Sequence, residues 1–143
     1  MKLIFSFLII ITFIGCSGVK NSYKLEKESA LNFKEAYYQE WVAGVEGGGS
    51  GITIVLEPSP ETKLKGIYFK ETYTELKTKK ANNYVGHIKG EYNWLEGDKV
   101  VKEKVDTPFT LIKNEAVISF MHKGKLKYIK IELPKKPMKE LPQ

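Results

Sequence analysis

Two histidines (His87 and His122), two aspartates (Asp98 and Asp106) and one cysteine (Cys16) make up a thin stock of the side chains that most often carry catalysis or metal binding. A catalytic zinc takes three protein ligands, commonly histidines with a carboxylate. Neither histidine has a second one at ligand spacing, so both read as strand side chains at the surface, and no metal is expected. Ser50, Ser59 and Ser119 lack the flanking residues of a nucleophile elbow. The members of a Ser-His-Asp site need not be neighbours in sequence, so such a site stays open but unsupported. Glu71 and Glu75 flank Tyr73. On one extended strand they would stand roughly 13 Å apart at ~3.3 Å per residue. Paired glycosidase carboxylates need about 5–10 Å, so a solvated strand edge is the expectation.

Two other features bear on binding. Gly47-Gly48-Gly49-Ser50-Gly51 could cradle a phosphate with its backbone amides. It lacks the lysine and hydroxyl of a P-loop, however, and it precedes a strand, not a helix. It reads as a flexible hairpin loop that is free to contact a ligand or partner. Aromatic residues are dense: Tyr37, Tyr38, Trp41, Tyr68, Phe69, Tyr73, Tyr84, Tyr92 and Trp94. Side chains alternate along a strand, so only one of Tyr37 and Tyr38 can face a core. The glycine run, Tyr38 and Trp41 are therefore the candidate binding loop and patch. No cofactor is expected.

The N-terminus carries a different kind of information. Met1-Lys2 is followed by an apolar run from Leu3 to Ile14, then Gly15-Cys16. A positive start, about 7–15 apolar residues and a small residue before a cut make a secretory signal peptide. The run is shorter than the ~20 residues of a membrane-spanning helix. Phe13-Ile14-Gly15-Cys16 resembles the lipobox of bacterial lipoproteins. The resemblance implies a diacylglycerol on the Cys16 sulfur, cleavage between Gly15 and Cys16, and a third acyl chain (palmitate, typically) on the new amine. An ordinary cleaved signal with a stray cysteine, or a short uncleaved anchor, are the alternatives. An odd thiol in an exported chain calls for a special role, and lipidation supplies one. Ser17, in place of aspartate, points by resemblance to the Gram-negative sorting rule to the outer membrane. With no acidic cluster after Cys16, the periplasmic face is favoured over the cell surface.

The expected organisation is a signal peptide over 1–15, a polar tether over 16–32, a β domain over 33–133 and an extended tail over 134–143. The net charge is +6 and every basic residue is lysine. Interspersed Lys and Glu mark a solvated face, although a basic balance also suits an anionic envelope partner. Nucleic acid is not an expected partner, since arginine, the best reader of bases and phosphates, is absent.

Strands are expected at Phe33–Val45, Ile52–Leu56 (ended by Pro58 and Pro60), Leu64–Leu76, Tyr84–Glu91, Lys99–Val105, Pro108–Lys113, Ala116–His122 and Leu126–Leu133. Tyr92–Leu95 either extends the fourth or starts another. Lys77–Asn83 reads as a polar turn, Gly86 and Gly90 as sites of bulges or a bend, and Tyr128–Ile129 as a further bulge. Six to eight short strands with glycine turns and no helical period argue a single all-β unit, an antiparallel β-sandwich or small β-barrel.

The segment from Tyr37 through Val45, with Gly47-Gly48-Gly49-Ser50-Gly51-Ile52, resembles the opening of a family of small bacterial lipoproteins without an assigned activity. No catalytic residue is carried over from it. The functional expectation is a lipid-anchored, non-enzymatic binding or structural module with an envelope protein, glycan or small apolar ligand as partner. A hydrolase of envelope polymers is the alternative.

Overall fold

Alternation with period two sorts the strands into faces, and a computed structural model, which describes residues 23–95 and 105–138, shows which faces meet. Among these residues nine strands form two sheets. They are β1 (Leu25–Glu26), β2 (Asn32–Val42), β3 (Ser50–Ser59), β4 (Leu64–Phe69), β5 (Thr72–Glu75), β6 (Lys77–Lys80), β7 (Asn83–Lys89), β8 (Glu115–His122) and β9 (Lys125–Glu132). One sheet has the order β1-β9-β8-β4-β5 and the other β2-β3-β7-β6. The sheets do not close into a barrel, and the fold is a β-sandwich. Among these nine strands every pairing is antiparallel except β1 with β9.

The core lies between the sheets. Tyr38 of β2, Ile54 and Leu56 of β3, and Tyr84 and Ile88 of β7 meet Ile67 and Phe69 of β4, Ile118 and Phe120 of β8, and Ile129 of β9. Burying each aliphatic or aromatic side chain contributes roughly 1.5–3 kcal/mol. Gly86 of β7 faces the other sheet at close range: a Cβ there would lie 3.1 Å from Thr74 and 3.2 Å from Leu76. The chain passes from one sheet to the other at buried Leu76, between β5 and β6.

Several expectations are corrected. Leu64–Leu76 is not one strand. It folds into a hairpin in which Phe69 pairs with Thr72 and the two turn residues, Lys70 and Glu71, both take positive φ (48° and 58°). That is the handedness a two-residue hairpin turn needs, although Asn-Gly is its usual sequence. The polar stretch Lys77–Asn83 contains β6, a fully exposed edge strand, before it turns at Ala81-Asn82. Strand β3 runs through Pro58, which lies past the last β3–β7 pair (Leu56–Tyr84) and next to the register shift at Phe33/Glu35, so no two-sided ladder is broken.

Gly86 pairs in unbroken register with Ile54, and β8–β9 pairing is continuous past Tyr128 and Ile129, so neither place holds a bulge. Pro108–Lys113 and Tyr92–Leu95 form no strand, apart from an isolated bridge between Gly48 and Trp94. Lys99–Val105 falls, except for Val105, outside the described residues. The tether expected over 16–32 gives way to structure within its span: Leu25 pairs with Tyr128, and Leu31 is in the core. The expected tail runs beside β2, where Tyr38 N donates to Pro134 O and Lys136 N donates to Tyr38 O.

Candidate functional site

The loop end of the sandwich holds most of the residues singled out from sequence. The chain leaves β2 at Val42 and returns at Ser50, and the segment after β7 folds against this loop. Asn93 clamps the two. Its side-chain Nδ2 donates to Ala43 O and to Val45 O, each at 2.9 Å, and its Oδ1 accepts from Gly47 N at 3.3 Å. Its backbone carbonyl accepts from Gly49 N. Gly48 N donates to Val45 O, so the amides of Gly47, Gly48 and Gly49 are all occupied inside the protein. The run is thus no open anion cradle. The glycines are required by contact: Leu95 lies against Gly47 and the Trp94 ring against Gly49, both at positive φ. Ser50 Oγ bonds the backbone of Tyr92 in both directions, donating to its carbonyl at 2.9 Å and accepting from its amide at 3.0 Å.

A groove of about 370 Å³ opens beside this clamp, lined in part by Glu40, Trp41, Lys70, Glu91 and Tyr92. Trp41 packs over its cross-strand partner Gly51, where a Cβ would come within 2.8 Å of the indole. Tyr92 is 73% exposed, and Val42, which lines the same groove, is exposed as well. Glu40 is fixed by two ammonium groups: Lys70 approaches one carboxylate oxygen at 2.8 Å and Lys135 approaches the other. Hydrogen bonds from Lys135 and then Lys70 hold the Glu40 carboxyl down at about 2, well below its ordinary value.

A second surface went unnoticed in the sequence. The outer face of the five-stranded sheet is aromatic, not polar. Tyr68 and Tyr73 are cross-strand partners with rings 4.9 Å apart, and Phe109 bridges Tyr68 (5.2 Å) and Tyr128 (5.5 Å). Tyr23 packs edge-on to Phe109 and against Tyr128. Beneath them Val117 and Ser119 of β8 are buried although they point away from the core. The Tyr73 ring covers Gly66, and Ser119 Oγ donates to Gly66 O at 3.2 Å. Burial first, and neighbouring phenols second, push the Tyr68 and Tyr128 hydroxyls above their ordinary value; burial also leads at Tyr73, followed by the Glu75 charge. The clue available in sequence was Val117, an apolar residue at an outward position between Ala116 and Ile118, where a strand with one wet face would carry a polar one.

The remaining candidates are scattered. Tyr38 is buried, its ring 4.9 Å from Phe69 and its hydroxyl donating to Asn114, so it does not share an exposed patch with Trp41. Tyr37 is the outward member of that pair, with the Lys136 ammonium 4.0 Å above its ring. His87 lies on β7, 3.4 Å from Thr53 Oγ1, while His122 ends β8 in the other sheet. Neither Ser50 nor Ser119 has a histidine among its hydrogen-bond partners. Glu71 stands in the hairpin turn and Glu75 on β5, so the single-strand spacing assumed for them does not apply. Among the described residues no three His, Cys, Asp or Glu side chains group as metal ligands, and no helix is long and apolar enough to cross a membrane. Gly15 and Cys16 lie outside the described residues. No protein-family model, curated protein or solved structure matches the chain.

Proposed function

We propose that this chain is a lipid-anchored protein of the bacterial envelope, held at the periplasmic face of the outer membrane by acyl chains on Cys16, and that its loop end binds an envelope glycan without transforming it. The observation that carries the binding role is the groove between Trp41 and Tyr92, flanked by Glu40, Lys70 and Glu91. Flat aromatic faces match the C–H faces of sugar rings, and charged groups beside them bond hydroxyls. The walls are preorganised: Gly51 seats Trp41, and the Asn93 clamp holds the loops on either side. Binding is favoured over hydrolysis because Glu40 is held ionised between two lysines, which suits it poorly to donate a proton.

The test is co-sedimentation of the purified protein with peptidoglycan sacculi at rising salt. Trp41→Ala and Tyr92→Ala are expected to lower the bound fraction at a salt concentration where general attraction of a basic protein is screened. Wild-type binding that vanishes with salt in step with the variants would sink the glycan reading. Release of soluble fragments from the sacculi would replace binding with hydrolysis.

A further inference from the structure

Among the described residues no strand or helix packs over the tyrosine-lined outer face of the five-stranded sheet, and the described fold begins on it. Tyr23 packs against Phe109 and Tyr128, and Leu25 sits beside Tyr128 at the β1–β9 pairing. Tyr23, Leu25, Tyr73 and Leu126 are all more than a third exposed. An apolar face of this kind on an antiparallel sheet marks a contact surface.

We infer that this face docks on the lipid surface into which Cys16 is anchored, laying the domain on its side at the membrane interface. The inference rests on the lipid-anchor reading above. Two observations favour a lipid surface as the occupant. First, seven residue steps separate Cys16 from Tyr23, and at ~3.3–3.6 Å each they reach at most about 25 Å. The face where the tether ends is therefore held within that distance of the bilayer. Second, the exposed rings are tyrosines, whose apolar body and polar hydroxyl suit the headgroup level, where tyrosine is enriched. The groove at the loop end is left accessible beside the membrane.

The experiment uses lipidated, full-length mature protein in phosphatidylethanolamine/phosphatidylglycerol vesicles at low surface density. Hydroxyl-radical footprinting reads each tyrosine, with Tyr92 as the internal reference. The comparison is Leu25→Glu/Leu126→Glu, which places charge on two exposed positions of the face and leaves the core intact. Tyr23 and Tyr73 are expected to oxidise several-fold more slowly in wild type than in the variant, with Tyr92 unchanged. Equal rates with acyl mass present on both proteins would overturn the docking and leave the anchor standing. Protection that disappears as surface density falls would overturn it in favour of a second copy on this face. Absence of acyl mass on the wild type would overturn the anchor, and with it the tether-length argument.

Discussion

Asn93 ties two loops together because its side chain offers a donor pair and an acceptor on a backbone already at φ +60°. Asparagine tolerates that left-handed conformation better than other non-glycine residues. Asn93→Ala leaves Gly47 N and Ala43 O to find water, leaves Val45 O with the Gly48 amide alone, and strains the backbone as well. A loss of about 1–3 kcal/mol is expected in urea unfolding. Asn93→Gly keeps the conformation without the bonds and should fall between the two. Glu40 provides an acid-sensitive contact. Its folded pKa is depressed from 4.5 to about 2. Its stabilisation is therefore present above about pH 4.5 and is lost as pH falls towards 2. Its side chain is 40% exposed, so solvent screening keeps the effect small. The melting temperatures of wild type and Glu40→Gln should converge through that window; a constant gap would mean that the lysines do not act on the charge.

The hairpin β4–β5 and the edge strand β6 show where local sequence signals stop. Two-residue turns of this handedness announce themselves through Asn or Gly, and Lys70-Glu71 has neither; Gly124, in the β8–β9 turn, does announce itself. Pairing of β4 with both β5 and β8 outweighs the turn preference. Strand β6 reads Lys-Thr-Lys-Lys, which looks like a loop because its polarity protects an open edge. Replacing Lys77 and Lys79 with valine is expected to give concentration-dependent association in sedimentation velocity runs, while wild type sediments independently of concentration. By contrast, β2, β3, β7, β8 and β9 were legible to within a few residues, since each carries alternating apolar positions. The tyrosine face was not, because alternation cannot say whether a second face is also covered. Tyr73 and Gly66 form its simplest unit: the ring occupies the space a Cβ would need. Gly66→Ala alone should cost roughly 1–3 kcal/mol through displacement of the ring. In a Tyr73→Ala background it should cost much less, so additive losses in the double-mutant cycle would dismiss the contact.

Sandwich and exposed face together set how the whole molecule responds to its surroundings. Three phenols have raised pKa values in the folded state, with burial the leading cause. Their contribution is full below about pH 10, their unfolded value, and is lost as pH rises through the folded values. Thermal unfolding between about pH 9 and pH 12 should show that decline, and Tyr73→Phe should flatten it. An unchanged slope would assign the alkaline loss to other groups. The all-β class and most of the core-facing strands follow from the sequence pattern; the loop clamp depends on residues brought together from 40 or more positions apart, such as Asn93 and Val45, and the tyrosine face on Phe109 meeting Tyr68 and Tyr23. The parallel pairing of β1 with β9 has a mechanical consequence. It is only two residues long, it is the first element of the described fold, and buried Leu31 lies just behind it. A pull on the N-terminus loads this short ladder in shear before it reaches the core. Leu25–Ala30 would peel away first, a length of about 20 Å at ~3.3 Å per residue, so strain applied at the N-terminal end of the described fold is taken up there before it reaches Leu31 and the core.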